Sequence, residues 1–235
     1  MEQEWNCSQG GCPALESSFL FGLPQEVTRE VMEHAVTLRM QKGQLLYTQD
    51  SPVEGIFCLK SGTVMTFVES FPGEILTLGY HKDGGTLGIA SLYNARYLQS
   101  AKCVTACQVC FFSRRVMINL LSKNIKAHER MGEIRQGVIE NLLEIIGDLH
   151  SKSIPQRLVG RLLYLRSVFG EDKDGFINIA LIKDDIANLV GASVESVFRS
   201  ISDLKQKGII GMESRKIRIL NESKLEQLAR KISSN

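Results

Sequence analysis

Lys183-Asp184-Asp185-Ile186-Ala187-Asn188-Leu189-Val190-Gly191-Ala192-Ser193-Val194-Glu195-Ser196-Val197-Phe198-Arg199-Ser200-Ile201 has the pattern of two short helices crossing at a steep angle. Ala187 is small enough for the second helix to approach, Gly191 suits a turn conformation closed to bulkier residues, and Val197 fills the angle between the helices. Ile186, Leu189 and Val190 make an apolar face on the first helix; Val194, Val197, Ile201 and Leu204 make one on the second. Ser193 suits the N-cap of the second helix, because its hydroxyl can accept an otherwise unpaired backbone N–H. Ser196, Arg199, Ser200 and Asp203 are expected to face away from that core. In a helix-turn-helix the exposed residues of the second helix reach base edges in the DNA major groove. Lys205 and Lys207 follow, and Ile209 to Ile219 reads as two short strands around a polar turn, the wing of a winged helix. A plain helical hairpin followed by a β-hairpin shares much of this pattern.

Composition sets the frame around that stretch. The 235 residues suit two domains, and 43% hydrophobic with 23% charged residues is ordinary globular composition. The net charge of +2 is unevenly spread: residues 151–235 hold 15 Lys/Arg against 10 Asp/Glu, and residues 1–150 hold 13 against 16. A mildly basic end after a mildly acidic body agrees with nucleic-acid binding without requiring it. The polar start MEQEWNCSQGGC lacks the basic and apolar regions of a signal peptide, and no apolar run is long enough for a membrane span, so a cytoplasmic protein is expected. In a reducing compartment the six cysteines are packing residues or candidates for metal or redox chemistry rather than a disulfide framework.

Upstream of the helix-turn-helix the pattern changes twice. Residues 1–22 form a Cys-bearing N-terminal segment holding Cys7 and Cys12, and a helical period runs over residues 14–35. Residues 23–126 form the sensor domain. Within it, short strands at residues 44–47, 55–60, 63–69, 75–80 and 101–112 are separated by turn residues, as in a β-barrel or jelly roll. Residues 127–150 are one long helix. Its stripe Ile134, Val138, Leu142, Ile145 and Leu149 steps by four and three, which suits pairing with a second copy; a helix lying on the barrel would carry the same stripe. Residues 151–235 make the DNA-binding domain, beginning with a helix at residues 156–169. The fold class is therefore α+β: jelly roll, long helix, winged helix-turn-helix.

The order of these parts resembles the bacterial CRP/FNR family, which includes the cyclic-AMP receptor protein and the oxygen sensor FNR. The resemblance rests on Lys42-Gly43, the run Gly55-Ile56-Phe57-Cys58-Leu59-Lys60-Ser61-Gly62, Gly88-Ile89-Ala90, and Val194-Glu195-Ser196-Val197-Phe198-Arg199. It implies a homodimeric transcription regulator that reads a palindromic site in double-stranded DNA and works with RNA polymerase. Glu195 and Arg199 would contact bases, with Ser193, Ser196, Ser200, Lys205 and Lys207 around them. Arg binds guanine bidentately and Glu accepts from the cytosine amino group. Phe198 departs from the small or hydroxylic residue usual between the two.

Cyclic-nucleotide members carry a Glu where this chain has Ile89, and an Arg where it has Tyr97-Leu98-Gln99-Ser100; Arg96 lies nearby as a displaced candidate. FNR-like members hold an iron–sulfur cluster with N-terminal cysteines and one at the end of the barrel. The matching residues here are Cys7, Cys12 and Cys110, one thiolate short of the usual four. Cys103, Cys107 or a non-cysteine ligand would have to complete the set, and a reversible disulfide would use the same residues. Cys58, Cys103 and Cys107 otherwise read as packing. A cupin-like barrel enzyme, which needs a His and carboxylate cluster on its strands, finds only His81 there. A DNA-binding protein with an empty barrel is the third reading.

Overall fold

A computed structural model of the chain describes residues 18–230. These fall into two compact units: one holds the residues up to Val68 with Gly79–Asn141, the other Glu69–Leu78 with Leu142 onward.

The first unit opens on helix α1 (Gln25–Glu33), preceded by a turn at Phe19–Gly22 where the sequence pattern had suggested continuous helix. Pro24 at its N-cap has no N–H to leave unpaired, which suits it to that place. Eight strands follow: β1 (Val36–Met40), β2 (Leu45–Tyr47), β3 (Gly55–Ser61), β4 (Val64–Glu69), β5 (Ile75–His81), β6 (Thr86–Leu87), β7 (Ser100–Cys103) and β8 (Cys107–Ser113), with Glu69 of β4 and Ile75–Leu78 of β5 belonging to the second unit. They form two antiparallel sheets, ordered β1-β8-β3-β6 and β2-β7-β4-β5. Because β3 and β4 lie in different sheets, Gly62 turns the chain between the layers of a jelly roll. The stretch expected as one strand over residues 101–112 is two strands, bent at Val104–Ala106, where the Val104 N–H donates to the Thr63 carbonyl at 2.8 Å.

Period-two alternation sorts the side chains of β3 and β8 onto two faces. Phe57, Leu59, Cys107 and Val109 point into the barrel with Tyr47, Val53, Val64, Tyr97 and Cys103. Ile56, Cys58, Cys110 and Phe112 point the other way, into a layer shared with Phe19, Leu20, Val31 and Met32. Met117, Leu120 and Leu121 of α2 (Arg114–Lys123), and Ala127 and Met131 of α3 (Ile125–Ser151), complete that layer. Ser113 caps α2 by accepting from the Val116 N–H.

Helix α3 carries large aliphatic residues on more than one face. Ile134 and Val138 pack against the helix-facing layer, and Ile145 is 2% exposed. Leu142 is partly buried, and Leu149 sits close enough to Gly191 that a Cβ there would lie 2.8 Å from its Cδ2. The face left open is Ile139, Leu143 and Ile146, at 50%, 63% and 62% exposure. A helix apolar on two sides has two stripes of the same step; of the five residues expected as the dimer seam, Ile145 is buried, Ile134, Val138 and Leu142 are half-buried and Leu149 is exposed.

The second unit contains α4 (Ile154–Phe169), α5 (Lys183–Val190), α6 (Val194–Gln206), β9 (Ile210–Glu213), β10 (Lys216–Ile219) and α7 (Glu222–Arg230). Leu158, Val159, Leu162 and Leu165 of α4 are buried, as are Ile186, Leu189 and Val190 of α5 and Val197, Ile201 and Leu204 of α6.

Candidate DNA interface and cysteine site

The angle between α5 and α6 is fixed by backbone chemistry. Gly191 caps α5 in the left-handed conformation, φ +68°, which costs an L-residue about 1–2 kcal/mol. Its N–H and that of Ala192 both donate to the Ala187 carbonyl. The Arg157 guanidinium, from α4, donates to the carbonyls of Val190 at 3.0 Å, Gly191 at 3.2 Å and Lys152 at 2.9 Å. A cation thus sits at the C-terminal end of α5, where the helix dipole favours it. At the other end the Asp185 carboxylate accepts from the Ile182 N–H at 3.0 Å.

Ser193 is the N-cap of α6, as its sequence position implied: its hydroxyl oxygen accepts from the Ser196 N–H at 3.4 Å. Along α6 the buried positions are Val197, Ser200, Ile201 and Leu204, so the opposite face carries Glu195, Arg199 and Ser202, all exposed. Ser200 was expected among the DNA-facing residues, but it is 8% exposed and its hydroxyl donates to the Ser196 carbonyl at 3.0 Å. At 100° per residue it falls beside Val197 and Ile201, and the local bond satisfies it there. Ser196 is partly buried. Lys205 is exposed; Lys207, also exposed, is held at 2.7 Å by Asp203 one turn back.

Four residues that the sequence reading missed flank this surface. Ser202 completes the exposed face. Lys183, at the start of α5, places its Nζ 4.9 Å from the centre of the Phe198 ring. At the tip of the β9–β10 wing, Ser214 and Arg215 both have positive φ, the requirement of a two-residue type I′ hairpin turn. Asn-Gly would signal such a turn in a sequence; Ser-Arg does not. The arrangement presents the Glu195 carboxylate and several cations on a single capped helix and its neighbours, the equipment for reading base edges while neutralising phosphates.

Two family profiles match the chain: the Crp-like helix-turn-helix domain over residues 156–228, and the cyclic nucleotide-binding domain over residues 37–124. The chain belongs to the CRP/FNR family of DNA-binding transcription regulators. That family is one of regulators rather than enzymes. Among its curated members, the transcriptional regulatory protein btr of Bordetella pertussis is 22% identical, over 94% of this chain and 88% of its own length. The fumarate and nitrate reduction regulatory protein of Escherichia coli K12 is 23% identical, over 81% and 77%. The solved structure of FixK2 from Bradyrhizobium japonicum shares the fold, with a TM-score of 0.74 at 20% identity, covering 84% of this chain and 98% of that one. No helix among the described residues is long and apolar enough to cross a membrane.

In this regulator the positions that serve a cyclic phosphate elsewhere are otherwise occupied. Ile89 is buried and carries no carboxylate, and Arg96 donates to the Asp50 carbonyl. Inside the barrel, Tyr47 stacks on Tyr97 with centroids 4.1 Å apart and on Phe57 at 5.8 Å. The Tyr97 hydroxyl donates to the Gly55 carbonyl at 2.7 Å.

The cysteines divide by face. Cys103 and Cys107 lie inside the barrel, where burial pushes the Cys103 thiol up to about 12 and Cys107 donates to the Thr63 carbonyl at 3.3 Å. Cys110, 3% exposed, lies in the helix-facing layer with its Sγ 4.0 Å from the Thr37 hydroxyl. Its direct cross-strand partner is Cys58. Cys103 and Cys107 are therefore on the wrong side of β8 to join a site built around Cys110, and Cys58 is on the right one. Cys7 and Cys12 lie outside the described residues. Among those described, no three His, Cys, Asp or Glu side chains cluster as a metal site.

Proposed function

We propose that the regulator binds a palindromic operator as a homodimer, with Glu195 and Arg199 reading bases, and that thiol chemistry at Cys110 sets its DNA affinity. The observation that carries the DNA-binding half is the exposed face of α6, where Glu195 and Arg199 stand together opposite a buried side of Val197, Ser200, Ile201 and Leu204. Ser193 fixes the start of that helix, and Lys205 and Lys207 serve as phosphate contacts at its end. RNA polymerase is the partner through which such a regulator acts on transcription.

The second copy docks on Ile139, Leu143 and Ile146 of α3. Three large aliphatics spaced by four and three on an open helix face match a coiled-coil seam.

For the signal, support comes from the layer that Cys110 occupies. Phe19 and Leu20 are buried in it, Phe19 edge-on to Phe112 at 5.1 Å, so described residues close in sequence to Cys12 share a layer with Cys110 and Cys58. Those thiols suit either a reversible disulfide or an iron–sulfur cluster held by Cys7, Cys12 and Cys110, with Cys58 as a fourth donor. A cluster would supply an oxygen- and nitric oxide-labile centre. The test is operator affinity of anaerobically purified protein under nitrogen and in air, with iron and sulfide analysis. Iron and sulfide in about equal amounts identify the cluster; metal-free protein that still responds to air identifies the disulfide. A response left intact by Cys7→Ser, Cys12→Ser and Cys110→Ser refutes the thiol site, and Arg199→Ala with an unchanged footprint refutes the recognition helix.

A further inference from the structure

We propose that Phe198 reads the C5-methyl group of one thymine in each operator half-site, with Lys183 fixing the ring in its reading position. The inference rests on α6 being the recognition helix and specifies what one side of it recognises. Counted at 100° per residue, Phe198 lies on the flank of the exposed face, about 60° from Glu195 and 100° from Arg199. A ring needed only for packing belongs at the positions of Val197, Ile201 or Leu204, which are buried; Phe198 is left partly exposed on a helix whose neighbouring surface is polar.

The ring is not loose. The Lys183 ammonium lies 4.9 Å from its centre, within the range of a cation–π contact, and comes from the other helix of the motif. Lys183 opens α5, the end at which the helix dipole opposes a cation, so α5 itself gains nothing from a Lys at this place. The contact with Phe198 gives the cation a role, and a DNA phosphate alongside would strengthen it. What remains open is apolar ring surface facing the groove. In the major groove the apolar group on offer is the thymine methyl, and Phe is among the side chains that contact it.

The experiment selects an operator from a random duplex pool with the full-length protein, then replaces each thymine singly by deoxyuridine, which removes only the methyl. One thymine per half-site should show about fourfold weaker binding on replacement, the equivalent of about 0.8 kcal/mol for one buried methyl. Phe198→Ala should abolish that penalty and Phe198→Leu should keep most of it, while Lys183→Gln should shrink it below twofold. If no thymine shows a penalty in the parent, or if Phe198→Ala leaves the penalty unchanged, the inference is overturned although the recognition helix stands. If Arg199→Ala selects the same operator with equal affinity, or the parent enriches none, the reading of α6 itself fails and this inference with it.

Discussion

Replacing Gly191 by Ala should destabilise the second unit by about 2–3 kcal/mol, through two effects that can be separated. The backbone there has φ +68° and ψ 50°, where an L-residue loses about 1–2 kcal/mol relative to glycine. An added Cβ would also lie 2.8 Å from Leu149 Cδ2 and 3.2 Å from Leu76 Cδ1, the first closer than carbon atoms approach. Leu149 is partly exposed and can rotate, so the overlap adds about 1 kcal/mol rather than the larger cost of overpacking a rigid core. Urea unfolding of the parent, Gly191→Ala, Leu149→Ala and the double variant forms a closed cycle. The double variant should recover the steric part, leaving a residual loss of about 1–2 kcal/mol. Gly191→Asn, which tolerates the left-handed region better but carries the same Cβ, should fall between parent and Ala. A Gly191→Ala loss below about 0.5 kcal/mol would show that the turn is free to adopt another conformation, and the argument that Gly191 fixes the α5–α6 angle would be wrong.

Leu143→Glu should give a folded monomer by analytical ultracentrifugation; a dimer of parental strength would rule out the Ile139–Leu143–Ile146 seam. Arg157→Ala should cost about 2 kcal/mol of unfolding free energy in urea, because the carbonyls of Val190, Gly191 and Lys152 lose a charged donor, and Arg157→Lys should recover less than half, lacking the planar fork. The Cys103 thiol, raised to about 12 from an ordinary 9.0, stays protonated in the folded protein where the unfolded chain ionises. Its contribution to stability is therefore complete below pH about 9 and lost between about 9 and 12; Cys103→Ala should flatten that alkaline decline in urea titrations.

The helix-turn-helix was legible because each of its constraints is local: a small residue at 187, a glycine at 191 and a serine cap at 193 each depend on neighbours within a few positions. The jelly roll was legible as a class, since short strands and turn residues alternate, but its joints were not. The bend at Val104–Ala106 contains neither Gly nor Pro, and a hydrogen bond to Thr63 in a distant part of the sequence holds it. Helix α7 has a local signal that was overlooked, Asn221 accepting through its side chain from the Lys224 N–H. Ser200 was misplaced by reading polarity as exposure, although the helical period already put it beside Val197 and Ile201. The faces of α3 are a different kind of case: its two aliphatic stripes have the same spacing, and only the positions of the barrel core and of Gly191 tell which one is the more covered.

That division of α3 bears on how a signal at Cys110 would be felt. Strand β8 serves two interiors at once, so a change on one of its faces need not disturb the other, and the aromatic filling of the barrel can stay rigid while the helix-facing layer responds. The layer that holds Cys110 also takes in Ala127, Met131, Ile134 and Val138, at steps of four, three and four along one side of α3. Close-packed interiors do not absorb a change of bonding at a buried thiol without moving the residues around it. The adjacent side of the same helix carries Ile139, the first residue of the open stripe. The cross-link or cluster proposed at Cys110 would act on a helix whose rotation by a few tens of degrees would re-aim Ile139, Leu143 and Ile146 together. The response is bistable if the seam accepts two registers, and the required bias of a few kcal/mol is within the range of a single disulfide.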